Sequence, residues 1–208
     1  MQAISLKLAA AGAAVLMMTG CSSVNSLLNE RVETQEFLRV YDVQTPLVAA
    51  ELGKAIAEGM SQRFSHPQIE RPLVFDAVPE KPGRLITDAG LTDTNFAKLM
   101  QMSGGNTMQL KGVVCKGSPW QATGHRTFST GDVDARLNVC VFPYKGGYHI
   151  DMYGYLMERK GGMKDLVRQS VYAVMRTPEQ EISEGMADIV KAVEEVTGKQ
   201  VNLIESQP

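Results

Sequence analysis

The stretch "ARLNVCVFPYKGGYHIDMYGYLM", residues 135–157, decides the fold. It contains two runs of alternating apolar residues on either side of Gly146-Gly147, a pattern typical of two antiparallel strands joined by a tight turn. With these glycines as the turn, Val141 lies opposite Met152, and the apolar side chains of both strands share one side of the hairpin. The stretch therefore predicts an antiparallel sheet with one core face.

The other side of the same hairpin carries polar and aromatic side chains, among them His149, Asp151, Tyr153 and Tyr155. Residues two apart on a strand lie about 7 Å apart, which is too far for direct hydrogen bonds between short side chains. The row from His149 to Tyr153 is therefore not predicted to be catalytic. We expect a strand face in contact with solvent.

Two helices are predicted by apolar residues that recur every three or four positions. The first opens at Thr45 and Pro46, which suit the N-cap and N1 positions. The second begins with the capping box Thr177-Pro178-Glu179-Gln180 and ends at Gly198. Their apolar stripes consist of Val48, Leu52, Ile56, Met60 and Phe64 in the first helix and Ile182, Met186, Ile189, Val193 and Val196 in the second.

Further elements are predicted along the chain. Residues 36–43, 73–78 and 201–204 fit strands, and residues 92–102 fit a short helix. Residues 163–175 suit either a helix or a strand. Together these elements predict an α+β fold, a largely antiparallel sheet with helices packed on one face.

The start of the chain, "LAAAGAAVLMMTGCSS" at residues 8–23, is an apolar run that stops at a cysteine. At about 11 residues the run is too short to span a membrane and has the layout of a signal peptide. Thr19 and Gly20 before Cys21 resemble the lipobox of bacterial lipoproteins. The resemblance implies cleavage before Cys21 and acylation of Cys21, which would anchor the chain by lipid. The alternative is an ordinary secretory signal followed by a cysteine by chance.

This resemblance sets the expected organisation of the chain. Residues 1–20 are a lipoprotein signal peptide, residues 21–35 a lipidated tether, and residues 36–208 a single periplasmic α+β domain. Ser22 stands where an aspartate would mark retention in the inner membrane. The expected location is therefore the periplasmic face of the outer membrane.

The composition of the chain limits the classes of partner that we expect. The formal net charge is -2, the sequence pI is about 6.0, and the charged residues are evenly scattered. No basic stripe is available for phosphate contacts, so nucleic acid is not an expected partner. Neither CxxC nor HExxH spacing occurs, so no metal or cofactor is predicted.

Cys115 and Cys140 are the two cysteines besides Cys21. In an exported protein they are expected to form a disulfide, because thiols oxidise outside the cytoplasm. A third strand is predicted at residues 108–115. Direct pairing of the two cysteines would place this strand beside residues 135–142, with Val114 on the apolar side.

The segment between the cysteines, residues 116–135, is interpreted as a long loop that contains Trp120 and Arg126. We expect Trp120 and Arg126, together with Tyr153 and Tyr155, to form a binding surface, because Trp and Arg are frequent interface hot spots. The alternative is that Trp120 folds back over the polar and aromatic side of the hairpin and only covers it.

The sequence thus favours a non-catalytic, membrane-anchored lipoprotein that binds another envelope component as an assembly factor or structural accessory. The alternative is a binding module for a small ligand or glycan that uses the aromatic sheet face. The partner and the oligomeric state stay open at this stage.

Overall fold

The computed structural model describes residues 31–73, 77–88, 112–128, 133–161 and 176–207. Within these ranges the chain forms two helices and eight strands. The helices are α1 (Ala49–Ser61) and α2 (Pro178–Thr197). The strands are β1 (Arg31–Val43), β2 (Ser65–Glu70), β3 (Ile86–Asp88), β4 (Gly112–Val114), β5 (Trp120–Thr127), β6 (Val133–Tyr144), β7 (Gly147–Lys160) and β8 (Asn202–Gln207).

Six of the strands form one antiparallel sheet in the order β2-β5-β6-β7-β1-β8. Strands β3 and β4 form a separate two-stranded ribbon. Both helices pack on one face of the large sheet, where the core lies. The predicted α+β class, with an antiparallel sheet and helices on one face, is confirmed.

The β6–β7 hairpin is present, but its register differs from the prediction by two residues. The turn is Lys145-Gly146, and Val141 lies opposite Ile150 rather than Met152. A shift of two residues leaves every side chain on the face that was predicted. Gly147 has a φ of 153°, and a β-carbon there would collide with the carbonyl oxygen of Val43. The close approach of β1 therefore places Gly147 in the strand and moves the turn.

The segment predicted as a long loop, residues 116–135, instead contains strand β5, which pairs with β6 along its whole length. The strand was missed because its outward residues are polar and Gly124 interrupts its apolar side. A β-carbon at Gly124 would lie 2.7 Å from Cβ of Phe64. This glycine is thus required by the packing of the sheet against Phe64, three residues beyond the end of α1.

The predicted strand at residues 108–115 is only partly described, since residues 108–111 lie outside the described ranges. Its described part, β4, pairs with β3, so Val114 lies opposite Ile86 and not opposite Val141. The prediction that it neighbours residues 135–142 was wrong. Strand β5 occupies that place in the sheet.

The sheet also extends further towards the N-terminus than expected. Strand β1 begins at Arg31, which pairs with Lys160, so residues 31–35 belong to the sheet and not to a tether. The predicted final strand at residues 201–204 corresponds to β8, which adds to the outer side of β1.

Helix α1 begins later than predicted. Its N-cap is Val48, and no side chain caps it, whereas Thr45 accepts a 3.3 Å hydrogen bond from the backbone N–H of Leu47. That local turn delays the start of the helix. The stripe from Leu52 to Phe64 is buried, while Val48 is 60% exposed.

Helix α2 begins and ends where the sequence predicted. The capping box joins Thr177 and Gln180, and Gly198 closes the helix with a φ of 62°. The helices cross closely at Gly59, where a β-carbon would lie 2.7 Å from Cα of Ile189. This contact holds the two helices together as one layer over the sheet.

The second face of the sheet, opposite the helices, is partly covered by residues 77–88. Gly83 lies directly over the ring of Phe142, where a β-carbon would be 2.7 Å from Cδ1. The backbone N–H of Lys145 donates a 3.0 Å hydrogen bond to the carbonyl oxygen of Pro79. The face expected to be in contact with solvent is therefore closed around Phe142 and Asp151, which are 1% and 0% exposed.

Three predicted elements fall on residues outside the described ranges. They are the helix at 92–102, the helix or strand at 163–175, and the middle of the strand at 73–78.

Candidate functional site

Trp120, the main candidate for partner binding, is a core residue. It is 1% exposed and lies under α1, where its indole ring packs so closely on Gly53 that no β-carbon would fit between them. The prediction that Trp120 is presented to a partner was wrong. The alternative, that it covers the polar and aromatic face, was also wrong, because Trp120 lies on the helix-covered face beside Val141.

Arg126 is held by the helix layer. Its guanidinium donates a 3.1 Å hydrogen bond to the backbone oxygen of Arg63 and forms a 3.0 Å ion pair with Glu181. It also lies 5.1 Å from the ring centroid of Phe128. These contacts join β5 to α2, so Arg126 serves the packing of the helices on the sheet.

Tyr153 and Tyr155 lie on the opposite face from Trp120 and Arg126. Their exposed fractions are 4% and 8%. Burial raises the pKa of Tyr153, and the nearby Glu36 carboxylate raises it further. The structure therefore does not bring the four predicted binding residues together. Neither tyrosine ring is exposed enough to form a binding surface.

The disulfide is present, and it joins Cys115 to Cys140 with the two Cα atoms 5.7 Å apart. Next to the disulfide, a second contact joins the same two segments: the Ser118 hydroxyl accepts a 3.1 Å hydrogen bond from the backbone N–H of Val141. The bridge thus fixes the chain before β5 to the middle of β6. Cys21 lies outside the described residues.

A group of ionisable side chains lies on the second face, where the sequence predicted only a solvated row. We call it the Asp151 cluster, and it consists of Asp42, Arg84, Tyr144, His149, Asp151 and Glu205. Four strands, β1, β6, β7 and β8, supply five of these residues, and Arg84 comes from the covering segment 77–88.

Asp151 is the centre of this cluster and is fully buried. Its Oδ2 accepts a 2.8 Å hydrogen bond from the backbone N–H of Leu85 and lies 3.3 Å from Nε of Arg84. Arg84 also contacts Glu205 at 2.6 Å. Burial raises the pKa of Asp151, while the Leu85 hydrogen bond and the Arg84 charge act in the opposite direction.

The other half of the cluster is organised by Asp42. Its Oδ1 accepts a 2.6 Å hydrogen bond from the Tyr144 hydroxyl, which raises the pKa of Tyr144 to about 12. Nε2 of His149 lies 3.6 Å from the same oxygen. Burial lowers the pKa of His149, against the attraction of Asp42 and Asp151, so the imidazole is held mainly neutral. The cluster ties β1, β6 and β7 to one another.

Next to the cluster, at the turn of the β6–β7 hairpin, the surface forms a pocket of about 450 Å³. We call it the hairpin-end pocket. It is lined by Gln44, Thr45, Pro46, Leu47, Val78, Pro143, Tyr144, Lys145, Gly146, Gly147, Tyr148 and Lys199. Pockets of this volume suit small ligands or a short segment of another protein.

The hydroxyl groups of both tyrosines at this pocket are already engaged. Tyr148 donates a 2.8 Å hydrogen bond to the carbonyl oxygen of Leu47, and Tyr144 donates to Asp42. The rings are therefore fixed in place, and what they can offer a ligand is flat carbon surface. Lys145 is paired with Glu80, while Lys199 is exposed. The pocket combines rigid aromatic walls with the positive charge of Lys199.

Sequence reasoning missed this pocket because its walls come from four separate places in the chain. One signal was available, since Pro143, Tyr144 and Tyr148 flank the predicted hairpin turn. Tyr144 and Tyr148 are half-buried at the end of the sheet, so part of each ring can contact a ligand.

Within the described ranges, no group of three His, Cys, Asp or Glu side chains is placed to hold a metal ion. Neither of the two described helices is both long enough and apolar enough to cross a membrane.

The chain matches no protein-family model, and no curated protein matches it. A solved structure described as the crystal structure of Ara h 8.0201 is 10% identical, with 78% of this chain and 99% of that chain covered and a TM-score of 0.20. A likeness at that score supports no inference about fold or function.

Proposed function

We propose that this protein is a membrane-anchored lipoprotein on the periplasmic face of the outer membrane, held by acyl chains on Cys21. Its role is non-catalytic: it binds another envelope component, as an assembly factor or structural accessory, and it does so at the hairpin-end pocket.

The observation that carries this proposal is the position of the pocket relative to the anchor. Residues 22–30 separate Cys21 from Arg31, the first residue of β1. From there β1 runs for 13 residues, about 40 Å, to the end of the sheet where the pocket lies. The N-terminal end of β1, to which the proposed tether leads, is thus the end away from the pocket. Under this proposal a partner can reach the pocket without displacing the anchor.

The contacts of the Asp151 cluster support a non-catalytic role. Asp151 and Arg84 hold segment 77–88 on the sheet, and Asp42 holds Tyr144. A general acid or base must reach the proton that it transfers. Asp151 is fully buried, so its carboxylate serves to position the pocket wall that contains Val78.

The proposal is tested by photo-crosslinking in intact cells with the full-length lipidated protein. A photoreactive amino acid replaces Val78, which is 54% exposed at the pocket, and a matched control carries it at Gln68, exposed on β2. We expect the Val78 position, and not the Gln68 position, to capture one predominant envelope protein that mass spectrometry identifies. Equal capture at both positions, or none at Val78, would contradict the proposal.

A small ligand or glycan is the second candidate. It is favoured by the volume of the pocket and by the fixed rings of Tyr144 and Tyr148, since flat aromatic walls suit the apolar faces of sugar rings. The aromatic sheet face that the sequence suggested for such a ligand contains Tyr153 and Tyr155, both of which are buried. In the same crosslinking experiment this candidate predicts an adduct at Val78 that contains carbohydrate and no second polypeptide.

A further inference from the structure

Strand β8 forms one edge of the large sheet. Within the described residues it pairs with β1 on one side, and no strand pairs with it on the other. Its apolar residues Leu203 and Ile204 are 52% and 50% exposed. An edge strand with exposed apolar side chains and unpaired backbone groups is a template for a further strand.

The opposite edge, β2, differs from β8 in the features that block such pairing. It contains Pro67, which has no N–H to donate, and His66 has a φ of 42°, outside the range of extended strands. Both edges have an irregularity in their pairing with the neighbouring strand. Strand β8 contains neither proline nor lysine, so it lacks the further protection that β2 has.

The charge on β8 also permits a second strand to approach. Glu205 is the sole ionisable side chain in β8, and its carboxylate contacts Arg84 at 2.6 Å. Two identical edges can therefore meet without an uncompensated pair of like charges.

We propose that β8 pairs with β8 of a second copy of this chain, antiparallel, to join two six-stranded sheets into one continuous sheet. Such an interface is isologous, because the same strand supplies both halves. The twofold axis would be perpendicular to the sheet, so both helix layers would lie on the same face. The two β1 strands would run in opposite directions, so the two Arg31 residues would lie at opposite ends of the joined sheet. Both tethers could then reach one membrane that lies along a face of the sheet.

This pairing is additional to the binding at the hairpin-end pocket and involves different residues. A short interface between freely diffusing copies would be weak. Copies held to one membrane meet at a higher effective concentration, so a weak edge contact can suffice.

The test uses two full-length copies with different affinity tags, expressed together and isolated from membranes in mild detergent. Each copy carries Ile204→Cys, and the matched control carries Ile69→Cys on β2, where Ile69 is 43% exposed. After mild oxidation we expect a disulfide-linked species that contains both tags for Ile204→Cys and not for Ile69→Cys. Reduction should return it to single chains.

A second pair of variants gives a readout without a crosslink. We expect Ile204→Lys to lower recovery of the second tag by at least about tenfold, because a lysine on the edge opposes strand pairing. Ile69→Lys should leave recovery unchanged. Equal crosslinking at both edges, a crosslink at residue 204 to a different protein only, or unchanged recovery with Ile204→Lys would overturn the proposal.

Discussion

The backbone N–H of Leu85 donates a 2.8 Å hydrogen bond to Oδ2 of Asp151, and this contact joins segment 77–88 to the middle of the sheet. Arg84, next to Leu85, lies 3.3 Å from the same oxygen and is 43% exposed. If Asp151 is removed, Arg84 can still be solvated, whereas the N–H of Leu85 loses its acceptor. The hydrogen bond is thus the part of the contact that the fold depends on.

We therefore expect Asp151→Ala to lower the free energy of unfolding by about 1–3 kcal/mol, the usual cost of leaving a buried polar group without its partner. Asp151→Asn keeps an oxygen acceptor for Leu85 and should lose less. Chemical denaturation of both variants measures the difference. Equal losses for Ala and Asn would show that the carboxylate charge, and not the hydrogen bond, holds the segment.

The raised pKa of Asp151 predicts a pH dependence of a particular sign. The folded state releases this proton at higher pH than the unfolded state, so ionisation of Asp151 costs stability. The cost is absent below the unfolded pKa, near about 3.9, and complete above the folded pKa. The stability of the natural protein relative to Asp151→Asn should therefore rise as the pH falls from about 7 towards about 4.

His149 contributes a pH dependence of the opposite sign. Because its pKa is lowered in the folded state, stability is lost as the pH falls through the pKa of His149 in the unfolded chain. It is present in both proteins, so the comparison with Asp151→Asn largely removes its contribution. Denaturation curves at several pH values supply the measurement. A difference between the two proteins that stays constant or shrinks on acidification would contradict the burial of an ionised Asp151.

Trp120→Ala is expected to destabilise the protein by about 3–5 kcal/mol, because it removes a large side chain from beneath α1 and leaves a cavity. Arg126→Ala, a change on the same strand at a partly exposed ion pair, should cost clearly less. Thermal and chemical unfolding report both values. A loss below about 1 kcal/mol for Trp120→Ala would mean that the indole is not a core residue.

The disulfide between Cys115 and Cys140 closes a segment of 25 residues. In the chain-entropy model such a link contributes roughly 3.5 kcal/mol to stability. The double variant Cys115→Ala with Cys140→Ala should lose about that amount, and treatment of the natural protein with a reducing agent should have a similar effect. The reducing agent should leave the double variant unchanged. If reduction left the stability of the natural protein unchanged, the disulfide would have no structural role.

The parts of the fold that the sequence predicts correctly depend on local patterns. The faces of the β6–β7 hairpin are right even though the register is shifted by two, because the side-chain period of a strand is two. Helix α2 is right because the capping box at Thr177 and the glycine at 198 are encoded next to each other in the chain.

The features of the fold that the sequence did not predict depend on contacts between distant segments. Strand β5 has little apolar alternation of its own, because Gly124 makes room for Phe64 and its outward residues are polar. The burial of Asp151 depends on segment 77–88, which precedes it by more than 60 residues and has no strand or helix pattern where it crosses the sheet. The hairpin-end pocket likewise forms only when the loop before α1 meets the hairpin turn.

The central claim, anchoring by lipid at Cys21, is tested most directly by mass spectrometry of the mature N-terminus in membranes from cells that make the full-length protein. We predict an N-terminal peptide that begins at Cys21 and carries acyl chains, and Cys21→Ala should abolish both the modification and membrane retention while leaving the unfolding transition of the domain in place. An N-terminus at any other residue, or an unmodified Cys21 in protein that still resides in washed membranes, would contradict the account.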